Sequence, residues 1–153
     1  MLFDGFFGIA VGLAMLGITW LAIHLRTKGK AFEFDAEGEK GAFEKLLTTY
    51  LDLAKFVLGL AAGSIVLLVG SSAFRANGRL PSAFASPLFL LGLSIVYGIL
   101  FMTFLIFNYE HYRHHPGSSS YSRFQYVRNQ ALGFAALFCF CVGYAWLIVA
   151  VTR

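Results

Sequence analysis

The segment Asn108-Tyr-Glu-His-Tyr-Arg-His-His115 holds three imidazoles and a carboxylate within eight residues. On a helix, His111, His114 and His115 stand at i, i+3 and i+4 and share one face. Three imidazoles so placed are a ligand set for Zn²⁺, Cu²⁺ or a non-haem iron, with Glu110 as a further oxygen donor. The same cluster also reads as a solvated group at a membrane interface, beside anionic headgroups.

Two other places offer reactive side chains. Asp52 and Lys55 lie three apart, close enough on a helix to form an ion pair. Near an interface each also reaches water along its own stem. The pair either eases a helix into lipid or places charge at a pore mouth or partner contact. Cys139 and Cys141 lie two apart, about 200° around a helix, so they cannot bond to each other. Each is expected as a small buried apolar residue.

The string His111-x-x-His114-His115 is similar to one histidine box of the integral-membrane fatty acid desaturases and hydroxylases. The resemblance covers five residues. It implies a di-iron centre assembled from several such boxes. Outside the cluster this chain offers only His24, so that ligand set is not met and the family is not assigned. A phosphate-cradling glycine loop, a serine nucleophile motif and a zincin motif are all missing from the sequence. No cofactor is called for.

The elements that carry these residues follow from hydropathy. Four apolar runs cover 6–25, 51–69, 88–107 and 131–151. A helix of about 20 residues crosses a hydrocarbon core about 30 Å thick. Of the 153 residues 58% are hydrophobic and 13% charged, against about 25% charged in a soluble domain. The expected fold is all-α: one integral membrane domain, a four-transmembrane-helix bundle with short loops. The helices are placed at about 3–25, 42–70, 87–111 and 122–151. The first run lacks a basic leading segment, with Asp4 its one preceding charge, and is expected to be a retained helix rather than a cleaved signal.

Helix two is expected to begin at Ala42, before its apolar run, and helix four near Ser122. Helices two to four then extend past the bilayer on one side. Ser86-Pro87 reads as the cap and first residue of helix three. In the first loop, Phe32 and Phe34 alternate with Glu33 and Asp35, the pattern of either a short strand or an irregular loop with two phenylalanines resting on lipid.

Cationic residues give an orientation. Loops one and three, with their helix ends, hold Arg26, Lys28, Lys30, Lys40, Lys45, Lys55, Arg113, Arg123 and Arg128. The other side holds Arg75, Arg79 and Arg153. Nine against three favours loops one and three in the cytoplasm and both termini outside. The setting is a plasma (inner) membrane. The net charge of +4 is spread over helix ends and is no nucleic-acid signal.

Inside the spans, Gly8 and Gly12, and Gly59 and Gly63, have the small-xxx-small spacing that lets two helices approach closely. They serve packing within the bundle or contact between subunits. The deep polar residues are Thr19, Ser64, Ser94, Tyr97 and Thr103, without an Asp, Glu, Lys or Arg to mark a proton path.

The expected function is non-enzymatic. The chain acts by association, as a membrane-embedded subunit or sensor whose cytoplasmic loops engage a partner protein or further copies of itself. Lys40, Lys45, Arg113, Arg123 and Arg128 form the partner platform. One alternative is a homo-oligomeric channel or membrane-permeabilising effector, since a lone four-helix bundle has a packed core rather than a pore. The other is a metal-dependent membrane enzyme built on His111, His114 and His115.

Overall fold

The computed structural model describes residues 2–28, 42–70, 81–114 and 122–152, and within these the side chains of all but 2–5, 42–46 and 112–114. Four long helices account for nearly all of them: α1 (Leu2–Arg26), α2 (Ala42–Val69), α3 (Ala85–His114) and α4 (Arg123–Thr152). All four are long and apolar enough to cross a membrane. At 1.5 Å per residue, the 28 to 30 residues of α2, α3 and α4 measure roughly 42–45 Å, longer than a hydrocarbon core.

Local chemistry sets the helix ends. Ser122 and Gln125 make a reciprocal capping box. The Gln125 N–H donates to Ser122 Oγ at 3.2 Å, and the Ser122 N–H donates to Gln125 Oε1 at 3.1 Å. At the end of α1, both the N–H and the hydroxyl of Thr27 donate to the Ile23 carbonyl.

The start of α3 differs from the expected Ser86-Pro87 cap. A single 3₁₀ turn, Ser82–Phe84, leads directly into α3 at Ala85. Pro87 still lies in the first turn, where its missing N–H leaves no helical bond unmade. Ser86 is buried against α1 rather than open at a cap.

The interior and exterior reverse the pattern of a soluble protein. Six of the nine buried positions of α4 recur every fourth residue: Val127, Ala131, Ala135, Cys139, Gly143 and Leu147. Most are small, so the backbone of α3 comes close. A methyl on Gly143 would lie 3.0 Å from Leu90 Cβ and 3.3 Å from the Pro87 carbonyl oxygen. Large apolar side chains point outward instead, with Phe6, Ile18, Val66, Leu67 and Val151 all more than 60% exposed. A protein in water rarely exposes so extensive an apolar surface, and small residues at helix contacts are the rule in lipid.

The helices are not equal partners. α1, α3 and α4 form a three-helix core around Leu90, Tyr97, Leu132 and Cys139. α2 packs mainly along α3, through Ala61, Ile65 and Leu68, and only lightly on α4. Buried positions make up 11% of the α2 span against 33% of the α3 span.

The buried hydroxyls of this core are hydrogen-bonded, whereas the buried Asn129 Oδ1 accepts no hydrogen bond among the described residues. Ser94 Oγ donates to the Ala136 carbonyl at 2.8 Å, and Thr19 Oγ1, bonded to the Met15 carbonyl of its own helix at 2.9 Å, also lies 3.4 Å from the Ala131 carbonyl of α4. Tyr97 reaches the Gly12 carbonyl at 3.4 Å. These hydroxyls knit helices together and do not line a polar track. Cys139 is buried as expected; Cys141 is exposed on the outer surface.

Candidate functional site

The end of the bundle where α1 stops and α4 begins gathers most of the described charge. Two aromatic pairs fix α1 against α4 in antiparallel register. Phe7 meets Trp146 edge-to-face at 5.8 Å near one end, and Trp20 meets Phe124 at 5.4 Å near the other. The second pair brings Arg123 onto the C-terminus of α1, where its Nη2 donates to the His24 carbonyl. That carbonyl lies in the last turn of α1, at the negative end of its dipole.

One turn further along α4, Arg128 lies below Leu132, at the foot of the three-helix core. Its guanidinium carbon stands 3.8 Å over the centre of the Phe104 ring of α3, a cation–π stack. The Nε atoms of Arg123 and Arg128 are both buried, with no hydrogen-bond partner among the described residues. His24, Arg26 and Lys28 are exposed beside them on the last turns of α1 and just beyond.

The remaining predicted residues are dispersed. Lys55 Nζ stands 3.5 Å from Asp52 Oδ1, and both side chains are about two-thirds exposed. Such a pair contributes about 0.3–0.5 kcal/mol. Gly8 and Gly12 face α3: a methyl on Gly8 would lie 2.7 Å from the Ser86 carbonyl oxygen, and one on Gly12 would strike the Leu93 side chain. Gly59 and Gly63 face open space, since a methyl on either meets no atom within 4 Å among the described residues.

His111 is exposed on the last turns of α3. His114 ends that helix, and its side chain lies outside the described set, as do His115 and the first-loop residues Lys40, Phe32 and Phe34. Lys45 and Arg113 lie on α2 and α3. Among the described residues no group of three His, Cys, Asp or Glu side chains is placed to hold a metal ion.

Two features went unseen in the sequence. The every-fourth-residue stripe of α4 is visible there as Ala131, Ala135, Cys139 and Gly143, once Cys is counted as small. The stacking of Arg128 on Phe104 has no one-dimensional signal, because it joins positions on different helices.

Compared with protein-family models, curated proteins and solved structures, the chain matches none.

Proposed function

We propose that this chain is a multi-pass membrane protein that acts by association, not by catalysis. In this reading the four helices span an inner membrane, with both termini outside. Loops one and three and the extended ends of α2, α3 and α4 lie in the cytoplasm. Lys40, Lys45, Arg113, Arg123 and Arg128 contribute a basic platform to a partner protein or to further copies of the chain.

The observation that carries the reading is the outward face of α2. At Gly59 and Gly63 an added methyl would meet no atom within 4 Å among the described residues. In a helix with no outside partner, glycine costs helix propensity and returns no packing. In a helix that meets another, the same spacing allows close backbone contact. Asp52 and Lys55 lie on α2 below it, exposed and available to a neighbour.

Counting the full chain in nanodiscs by stepwise photobleaching tests this. Association should appear as the ratio of protein to lipid rises. Gly59→Leu with Gly63→Leu should weaken it at least tenfold while leaving the helical content unchanged, because space at both positions is open. A chain that stays single at every ratio, and is isolated without a stoichiometric second protein, would sink the proposal.

A further inference from the structure

We infer that the α1–α4 end of the bundle binds the phosphate of an anionic phospholipid, through Arg128 and Arg123. This rests on the membrane-spanning reading above but is separate from the α2 face.

Arg128 is half-buried at the foot of the core. Its stack on Phe104 fixes the plane of the guanidinium but uses none of its five N–H donors. A guanidinium so held presents its fork in one direction, the geometry that pairs with two oxygens of a phosphate. Arg123 spends one N–H on the His24 carbonyl. The buried Nε of each arginine has no partner among the described residues. Those two Nε atoms are closed to a ligand, so the terminal Nη groups meet the phosphate, and an anion there offsets the cost of partly desolvating each cation.

The surroundings select for negative charge. Arg26 and Lys28 stand on the neighbouring end of α1. α4 begins here, so the positive end of its dipole faces the same place. Among the described side chains the carboxylates are Asp52 and Glu110, the latter exposed on the last turns of α3 at this end, against the four cations Arg26, Lys28, Arg123 and Arg128. Asp52 is paired with Lys55, on the helix that has no substantial contact with α1.

The apolar rim selects a lipid over a soluble anion. Leu21, Leu25 and Phe124 are each more than half exposed at this end. The exposed Phe124 ring, set against Trp20 on the turn of α4 that carries Arg123, is a wall along which an acyl chain lies while its phosphate sits at the guanidinium groups. A free phosphate gains nothing from that wall. Basic sites between helices at the cytoplasmic face are suited to anionic headgroups.

The test uses the full chain in a zwitterionic detergent, titrated with phosphatidylglycerol or phosphatidylcholine. Retained lipid is counted by native mass spectrometry. The wild type should hold phosphatidylglycerol at least fivefold better. Arg128→Gln should reduce that preference about fivefold, the worth of one cation near a charged surface. Arg128→Lys should lie between, keeping the charge but losing the fork. Arg153→Gln, at the residue that follows the last of α4 in the sequence, should match the wild type.

Equal retention of the two lipids by the wild type overturns the site without recourse to any variant. So does an unchanged preference in both Arg128→Gln and Arg123→Gln. Displacement of the lipid by millimolar inorganic phosphate would assign the arginines to a soluble anion instead. Vesicle flotation separates the two proposals. A chain that floats with neither lipid fails the membrane-spanning reading itself, whereas one that floats equally with both and shows no preference fails only the lipid site.

Discussion

Gly8 and Gly59 sit in similar apolar helices, each four residues before another glycine, and do opposite things. At Gly8 the backbone of α3 is so close that a methyl would lie 2.7 Å from the Ser86 carbonyl oxygen and 3.0 Å from its Cα. Backbone atoms cannot rotate away, so one helix must move. Gly8→Ala should therefore destabilise the fold by about 1–3 kcal/mol, the usual cost of overpacking. At Gly59 the same methyl enters open space. Gly59→Ala in the dispersed protein should leave stability unchanged or raise it by up to about 1 kcal/mol from helix propensity. Unfolding of both variants by denaturing detergent, followed by circular dichroism, compares them directly. Equal loss at the two sites would mean that α1 does not approach α3 as closely as described. The spacing of the glycines was legible in the sequence; which pair faces inward was not, because that depends on how the helices are arranged in space.

At the scale of elements, the spans were legible almost to their ends. α2 was expected at 42–70 and runs Ala42–Val69; α4 was expected at 122–151 and runs Arg123–Thr152. A run of apolar residues is a one-dimensional signal, and so is a Ser-x-x-Gln cap. Contacts between helices are not. The buried stripe of α4 packs small residues against α3, while Phe134 and Phe138 on the same helix stack on each other at the outer surface. Size therefore predicts the opposite of burial here, as lipid outside and tight contact inside require. The two sides should respond differently to mutation. Ala135→Leu inserts three carbons at a fully buried position and should cost about 1–3 kcal/mol. Phe138→Leu should cost less, about 0.5–1 kcal/mol for the lost stack on Phe134, since its ring is nearly half exposed. A thermal series in one detergent reads both, and the idea of a small-residue seam is lost if the order is reversed. The histidine cluster marks the other limit. Its spacing was plain in the sequence, but His115 lies beyond the described residues, and no distance joins its members.

At the scale of the whole molecule, three helices form a core and the fourth is seated at its edge. Between α2, α3 and α4 runs a cavity of about 130 Å³, lined by Ala54, Val57, Leu58, Gly98, Phe101 and Phe134. Protein interiors normally pack to the density of organic crystals, and atoms beside a void forfeit the contacts that would fill it. The seam that holds α2 is thus the weakest in the molecule. Segments with few buried contacts open at the lowest free energy. Hydrogen exchange of the full chain in detergent should show the amides of 54–66 in α2 exchanging before those of 131–143 in α4. Ala54→Leu, whose added carbons enter the cavity, should slow the exchange of α2 and leave α4 unaffected. Uniform exchange across all four helices, or faster exchange of α2 in Ala54→Leu, would show that the seam is not weak or that the space is not available. A loosely seated α2 also suits the association reading. Its inner edge holds few contacts and its outer face carries the two unfilled glycines. A neighbour that captured that face would shift α2 at little cost to the core, and a shifted α2 would move the charged first loop joined to its end.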